Sequence, residues 1–406
     1  MKPVKISKIG INLFLINVFI YLTISLYTPY LTTYYVKAGL NAVQIGVLVT
    51  IGPLAAIFIQ PLWALLSDRS GRRKDILSLV VLGCGLSIFS YYIGNSFVTF
   101  FIAAFLLSIF NTSVVPLSDA IVLRKARKYQ FDFSKIRMGG TIGYAIMVIF
   151  SGMIVKSHPS WQFAMGFVGY MLLLLVVRLL PKDEKEESLS ASEIRITKPT
   201  WRERFNILNI FDTKQIFFLL AFACISQIGL SFHYSFLSVY MVQLGYSEGT
   251  IGIINSVAAF SELPVLFLIN HFLKRNSTLK VTILSCFLVG LRIVTVTGEN
   301  ILFLVLSQMI HGITFMAIYY SCAVFISNHV RPEKQSQGQS ILAIIQTGIG
   351  SIIGNIAGGY LVDAVGLKAA YRFFAAFVVL ACFIITMILF FFQKKEKLKK
   401  STPEIL

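Results

Sequence analysis

Acidic residues are scarce in this chain. Asp and Glu together contribute 18 of the 406 residues, against 36 Lys and Arg, and charged residues of both signs make up only 13%. Hydrophobic residues make up 56%, and the mean hydropathy is +0.77. An ordinary soluble domain has about twice this share of charged residues and fewer apolar ones. The composition therefore excludes a soluble globular protein and indicates a polytopic membrane protein.

Cysteine, histidine and the common cofactor motifs are also sparse or missing. The five cysteines all lie in apolar stretches, with no C-x-x-C pair and no accompanying histidine, so they indicate small core residues rather than disulfides or metal ligands. No Walker loop, dinucleotide fingerprint or Cys/His metal set is present. We therefore expect no cofactor, no bound metal, no ATP-driven transport and no enzymatic activity.

Twelve apolar runs are each long enough to cross a hydrocarbon core of about 30 Å as a helix. The first run is too long for a cleavable signal peptide. The sequence predicts an all-α membrane protein whose spans cover residues 9–36, 42–66, 75–94, 97–122, 137–155, 160–180, 215–243, 249–273, 279–297, 301–328, 337–364 and 368–392.

Basic residues are distributed very unequally between the two sides of these spans. Of the 36 Lys and Arg, 29 fall on the side of the amino terminus and four on the other side. The positive-inside rule then predicts that both termini are cytoplasmic in a multi-pass protein of the cell membrane. The net charge of +18 needs no nucleic acid partner, because these residues meet anionic lipid headgroups. We expect a monomer in the bilayer.

A polar stretch divides the spans into two groups of six. Residues 181–214 are rich in charge, which predicts a bundle over 1–180, a cytoplasmic linker over 181–214, a bundle over 215–392 and a cytoplasmic tail over 393–406. Within the linker, Trp201 and Phe205 beside Arg202 and Arg204 predict an amphipathic helix at the membrane interface.

The two halves carry an internal repeat. Tyr34, Gly39, Ile45 and Gly46 recur at a constant offset of 206 as Tyr240, Gly245, Ile251 and Gly252. Parallel six-span repeats of this kind resemble the major facilitator architecture. That resemblance implies two six-helix bundles and a binding site between them near the membrane midplane.

The loop after the second span strengthens this resemblance. It contains Asp68, Arg69, Gly71, Arg72 and Arg73 in the order of the major facilitator signature, with an alanine where the first signature glycine stands. In that family the motif is part of a charge relay that latches the cytoplasmic side of one conformation. Simple anchoring of basic residues to the inner leaflet is the alternative interpretation.

An intramembrane carboxylate and guanidinium flank the loop between the fourth and fifth spans. Asp119 and Arg137 lie 18 residues apart, at what we expect to be similar depth, and such charges are costly unless they face a partner or a watery cavity. Their spacing, with Phe131-Asp132-Phe133 between them, resembles the sugar site of lactose permease and its relatives. The resemblance implies that this pair holds substrate hydroxyls and that Tyr144 stacks on the substrate. A ligand-free ion pair, and Tyr144 as packing, are the alternatives.

The second half contributes Glu262, Arg292 and His311, which resemble the lactose permease constellation on its eighth to tenth helices. There the glutamate contacts substrate and takes part in proton coupling. The match fails at Thr314, where the permease has its proton-carrying glutamate, and at Gln346, where it has a lysine. The resemblance therefore implies coupling through Glu262, His311 or Asp119, with Arg292 as their neighbour. His311 as a packing residue is the alternative.

Tyrosines on the first span have two interpretations. Tyr21, Tyr27 and Tyr30 are typical of an interfacial aromatic belt, or they line a cavity.

These features predict a secondary active transporter that takes up a small organic solute with protons by alternating access. Residues around His311 and His233 resemble the phenylpropionate permeases of the same group, so oligosaccharides, nucleosides and aromatic acids all stay open as substrates. The main alternative is a drug or metabolite exporter working as a proton antiporter, although the fifth span lacks the proline such exporters carry. A non-transporting membrane sensor is a further alternative.

Overall fold

The computed structural model of the protein describes residues 3–180, 215–330 and 335–401. Within these ranges twelve helical segments are long and apolar enough to span a membrane, as predicted. We call them spans 1 to 12: Lys8–Lys37, Ala42–Ser70, Arg73–Tyr92, Phe97–Tyr129, Lys135–Ser157, Trp161–Leu179, Gln215–Gln243, Glu248–Ile269, Thr278–Gly298, Ile301–His329, Gln337–Val365 and Leu367–Lys394. The amphipathic helix predicted at Trp201 and Phe205 lies outside the described residues.

The loop between spans 4 and 5 is shorter than the apolar pattern suggests. The helix of span 4 covers Phe97–Tyr129, and the next helix, Phe133–Ser157, begins after only three residues. Lys and Arg are good helix formers, and their charges favour the carboxyl end of a helix, so the basic patch continues the helix instead of ending it. Gln130, with a positive φ of 58°, terminates it.

Several spans are interrupted by irregular turns. Span 1 joins the helix Pro3–Ser25, which enters the span at Lys8, to the helix Thr28–Lys37, and span 2 consists of Ala42–Phe58 and Gln60–Ser70. Spans 10 and 11 each contain a π-helical segment, at Ile313–Ala317 and Ile344–Gly350. A π-turn accommodates an extra residue within a helix and is frequent at functional sites.

Contacts divide the described chain into two compact units. The first unit consists of spans 1 to 6 together with Tyr234–Leu263 and Asn355–Leu367. The second unit holds residues 215–233, Pro264–Gly354 and the described residues from Lys368 onward. The predicted division into bundles at the linker stays a prediction.

The sequence repeat is reproduced in the backbone of the first unit. Gly39 and Gly245 both have a φ of 86°, a left-handed conformation that glycine adopts without steric penalty. In both copies the glycine N–H donates to the carbonyl three residues earlier, at 2.9 Å. The same helix end is therefore built twice, 206 residues apart.

Two further glycines of the repeat allow close helix approach in the first unit. A Cβ on Gly252 would lie 2.4 Å from the carbonyl oxygen of Val148, and one on Gly46 would lie 2.5 Å from that of Asn355. Any larger side chain would force these backbones apart. The contacts hold span 8 against span 5 and span 11 against span 2.

Charged contacts at the span ends strengthen the same packing. Lys37 forms an ion pair with Glu248, whose side chain is almost fully buried. The Asp363 carboxylate accepts hydrogen bonds from the Ala42 and Val43 N–H groups at 3.0 and 3.1 Å. A carboxylate at the amino end of a helix is favoured by the helix dipole. These contacts attach Tyr234–Leu263 and Asn355–Leu367 to the first unit.

Two tyrosines of span 1 are buried rather than interfacial. The Tyr27 hydroxyl lies 2.8 Å from that of Tyr170, and the Tyr30 hydroxyl donates to the Val148 carbonyl. The belt interpretation is wrong for this pair, because each hydroxyl finds its partner on a neighbouring span instead of at the membrane surface.

Candidate substrate site

Asp119 and Arg137 form an ion pair in the first unit. Their Oδ1 and Nη1 atoms are 3.5 Å apart, and the side chains are 33% and 29% exposed. Asp119 lies ten residues before the end of its helix and Arg137 four residues after the start of the next. On ideal helices these offsets place the Cα atoms of Asp119 and Arg137 roughly 15 and 6 Å from the loop. On ideal antiparallel helices the two Cα atoms would differ in depth by roughly 9 Å, a difference that a side chain as long as that of Arg137 can bridge.

Tyr21 packs beneath the guanidinium of this pair. The Arg137 Cζ atom lies 4.6 Å from the centre of the Tyr21 ring, within the range of a cation–π contact. The sequence alone offers no signal that distinguishes Tyr21 from Tyr27 and Tyr30, because all three lie within the same apolar span.

One oxygen of the Asp119 carboxylate lacks a hydrogen-bond partner within the described part of the chain. This oxygen, Oδ1, is shielded from solvent, and its ion-pair distance to Arg137 is long. Buried polar atoms in folded proteins nearly always have a hydrogen-bond partner. An unsatisfied carboxylate oxygen beside a half-exposed arginine is therefore suited to accept a hydrogen bond from a bound solute.

Glu262 extends this group from span 8. The Thr141 hydroxyl, one helical turn beyond Arg137, donates to Glu262 Oε2 at 3.4 Å. The Tyr21 hydroxyl experiences the charges of Asp119, Arg137 and Glu262 together. Tyr21, Asp119, Arg137, Thr141 and Glu262 thus form one group, which we call the Asp119 cluster.

Tyr144 lies at the edge of this cluster. It is half-buried, one turn beyond Thr141 along span 5, and it experiences the charge of Glu262. All four residues predicted to bind substrate, namely Asp119, Arg137, Tyr144 and Glu262, belong to this one region of the first unit.

Arg292 belongs to a different group, in the second unit. It is only 1% exposed, and it donates from Nη2 to Gln308 Oε1 at 2.8 Å and from Nη1 to Thr314 Oγ1 at 3.3 Å. Thr314, which stands where the permease has a carboxylate, is therefore bonded to the arginine as a neutral partner.

The bonds of Gln308 fix the state of His233. A guanidinium can only donate, so Gln308 presents its oxygen to Arg292 and its NH₂ group to His233 Nε2, 3.4 Å away. His233 Nε2 is then an acceptor, which requires a neutral ring with its proton on Nδ1. We call His233, Arg292, Gln308 and Thr314 the Arg292 cluster.

His311 lies next to this cluster. Its ring stacks on Phe315 with centroids 5.3 Å apart and an interplanar angle of 15°, and His311 and Arg292 both act electrostatically on His233. Of the three residues predicted to couple protons, Arg292 and His311 are therefore neighbours in the second unit, and Glu262 belongs to the first.

The π-helical segments contain the two positions at which the sequence departs from the lactose permease pattern. Thr314 lies in the segment Ile313–Ala317, and Gln346 lies in Ile344–Gly350. Gln346 is 5% exposed. The helix is thus π-helical at the two positions where neutral residues replace the charged residues of the lactose permease pattern. The hydropathy pattern does not predict these π-helical segments.

The signature loop contains two ion pairs. Arg73 Nη2 lies 3.2 Å from Asp68 Oδ1, and Gly71 ends the preceding helix with a φ of 63°. Arg69 and Arg72 are exposed, and Arg72 lies 3.6 Å from Asp75. Its role as a conformational latch stays a prediction.

No group of three or more His, Cys, Asp and Glu side chains in residues 3–180, 215–330 and 335–401 is placed to hold a metal ion.

Comparison with known proteins identifies the family. The model of the MFS_1 like family matches residues 11–373. The uncharacterized transporter YwbF of Bacillus subtilis (strain 168) is 24% identical over 85% of both chains. The maltose permease of Geobacillus stearothermophilus is 22% identical over 89% of this chain and 88% of its own. The probable 3-phenylpropionic acid transporter of Escherichia coli (strain K12) is 21% identical over 84% and 88%.

Solved structures agree on the fold. The nucleoside transporter NupG superposes with a TM-score of 0.72 and 19% identity, covering 94% of this chain and 99% of its own. The predicted resemblance to sugar and phenylpropionate permeases and the predicted twelve-helix major facilitator fold are confirmed. The chain belongs to the MFS_1 like family and is a multi-pass membrane transporter.

Proposed function

We propose that the protein takes up a neutral, hydroxyl-rich solute, a sugar or a nucleoside, together with protons across the cell membrane. The unsatisfied Asp119 carboxylate oxygen beside Arg137 is the observation that carries this proposal. A carboxylate accepts hydrogen bonds from hydroxyl groups, and a guanidinium donates to their oxygens. Adjacent hydroxyls on a sugar or ribose ring satisfy both at once.

The charges of the Asp119 cluster favour a neutral solute over an aromatic acid. Asp119 and Glu262 are two carboxyl groups, whereas Arg137 is the one guanidinium described in the cluster. An anionic substrate would compete with Asp119 for Arg137 and be repelled by both carboxylates. A maltose permease and a nucleoside transporter among the similar proteins are named for neutral solutes.

Glu262 is suited to carry the proton. The Thr141 hydroxyl donates to the ionised carboxylate and, after rotating, accepts from the protonated acid. Both protonation states are thus accommodated without moving a helix. Arg292 and His311 would form the second part of the coupling machinery. Rocking of residues 1–180 against residues 215–392, with both termini in the cytoplasm, would expose the site to each side in turn.

The test is a binding screen with purified protein. We expect disaccharides or nucleosides to raise its thermal unfolding temperature, and phenylpropionate-type acids at equal concentration to leave it unchanged. The solute found is then used in proteoliposomes, where an inward proton gradient should drive its accumulation. Stabilisation by aromatic acids alone would contradict the neutral-solute proposal, and transport without proton flux would contradict coupling.

Export and sensing are less favoured. Span 5 has no proline of the kind that exporters of the superfamily carry, and none of the similar proteins above is named as an exporter. A sensor would bind the solute in the screen without transporting it.

A further inference from the structure

A cavity of about 410 Å³ opens between four span ends in the second unit. It lies where span 7 begins at Gln215, span 9 begins at Thr278, span 10 ends at His329 and span 12 ends near Gln393. It contains no residue of the Asp119 or Arg292 clusters. Its volume is in the range of small-molecule sites.

The lining of this cavity changes from polar to apolar along the span axes. Lys280, His329 and Gln393 line it at the helix ends, whereas Ile283, Phe325 and Leu389 line it three or four residues further into the spans. Three or four residues correspond to roughly 5–6 Å of helix. The cavity is therefore polar at the membrane surface and largely apolar about one turn inside the membrane.

The polar end of the cavity is cationic. Lys280 is exposed, and the exposed Lys394 directly follows the lining residue Gln393 at the end of span 12. Among the described residues that line the cavity, none is acidic. The His329 ring donates from Nδ1 to the Phe325 carbonyl at 2.8 Å, which holds the ring in place at the polar end of the cavity.

We propose that this cavity binds one anionic phospholipid, with its phosphate near Lys280 and the start of an acyl chain against Ile283 and Leu389. The polar-to-apolar gradient runs along the membrane normal, as in a lipid. An amphipathic peptide lying on the membrane would instead need polar and apolar stripes parallel to the surface. In the proposed orientation these span ends face the cytoplasmic leaflet, where anionic lipids are attracted by basic residues.

The experiment measures lipid binding to the purified full-length protein in detergent by native mass spectrometry. Phosphatidylglycerol is compared with phosphatidylcholine of the same chains and with soluble glycerol phosphate. We expect selective binding of phosphatidylglycerol. Equal binding of both lipids, or equal competition by glycerol phosphate, would overturn the proposal.

Variants locate the site. Lys280→Gln should weaken phosphatidylglycerol binding about five-fold, the factor that corresponds to ~1 kcal/mol for one basic residue at a membrane surface. Lys280→Arg should preserve it. Thr386→Phe, which fills the inner part of the cavity without changing charge, should also reduce binding.

Lys8→Gln is the matched control, because Lys8 is an exposed lysine near the start of span 1. It should leave lipid binding unchanged, and an equal loss in this variant would show a general charge effect and overturn the proposal. Thermal unfolding of each variant confirms folding. Since the readout is lipid binding, it is independent of whether the solute proposal holds.

Discussion

The Asp119 cluster and the Arg292 cluster use the same kind of cation in opposite ways. Arg137 is 29% exposed and faces a carboxylate at 3.5 Å, whereas Arg292 is 1% exposed and donates to the neutral oxygens of Gln308 and Thr314 at 2.8 and 3.3 Å. The first arginine belongs to a long ion pair between partly exposed side chains. The second is buried and donates to two neutral oxygens.

From this difference we expect the Asp119 cluster to bind substrate and the Arg292 cluster to stabilise the fold. A loose pair costs little to rearrange, so a solute can replace part of its interactions. A buried guanidinium is held by every bond it makes, because leaving a buried charged group unsatisfied is costly. We therefore expect substitutions in the Asp119 cluster to change substrate affinity and substitutions in the Arg292 cluster to change stability.

The largest expected effect is on substrate binding in the Asp119 cluster. Arg137→Ala and Asp119→Asn should each weaken binding about 10- to 150-fold, since a hydrogen bond to a charged group contributes roughly 1.5–3 kcal/mol. Membrane insertion and unfolding temperature should change little. Isothermal titration with the identified solute measures this. Lys156→Ala, an exposed cation on the same span, is the control, and unchanged affinity in Arg137→Ala would contradict the site.

The next effect is on stability in the Arg292 cluster. Arg292→Met should lower the free energy of unfolding by about 2 kcal/mol, because Gln308 and Thr314 lose their buried donor. Thermal unfolding in detergent measures the change, and the exposed Arg372→Met serves as its control. If Arg292→Met stays as stable as the control, then the enclosed arrangement has no structural role.

A substitution of Glu262 tests whether substrate binding and proton coupling can be separated. Glu262→Gln keeps the shape of the side chain but cannot exchange a proton, so substrate affinity should fall less than about ten-fold, or 1.4 kcal/mol. Accumulation driven by a proton gradient should be lost while solute exchange persists. Counterflow and uptake in proteoliposomes distinguish the two. Glu299→Gln, on the surface, should retain both, and accumulation by Glu262→Gln would assign coupling to another residue.

Tyr144 should show the smallest effect. Tyr144→Phe keeps the ring and should bind substrate within about two-fold of the original protein. Tyr144→Ala should lose roughly 1 kcal/mol if the ring stacks on the solute. Affinity measured for the two variants side by side decides the point. A larger loss in Tyr144→Phe than in Tyr144→Ala would mean that the hydroxyl, not the ring, contacts the substrate.

The sequence predicted the membrane spans well, but it said little about which side chains of neighbouring spans meet. Hydropathy identified all twelve spans, and the offset of 206 identified a repeat that recurs as the matching left-handed glycines Gly39 and Gly245. The same pattern ended span 4 too early, because charged residues that leave the membrane continue a helix in water just as well. It also gave no reason to select Tyr21 over Tyr27 and Tyr30.

The sequence by itself determined local properties of the chain. These are the length of each span, the unequal distribution of Lys and Arg between the two sides of the membrane, and the spacing of Asp119 from Arg137. Only the tertiary structure decided that Glu262 meets Thr141, that Lys37 meets Glu248, and that Arg292 is enclosed by Gln308 and Thr314. Helices in a membrane are selected by length and apolarity, whereas the face that each one turns toward its neighbours depends on side-chain packing between distant segments. That packing is a property of the assembled helices, which no single segment encodes.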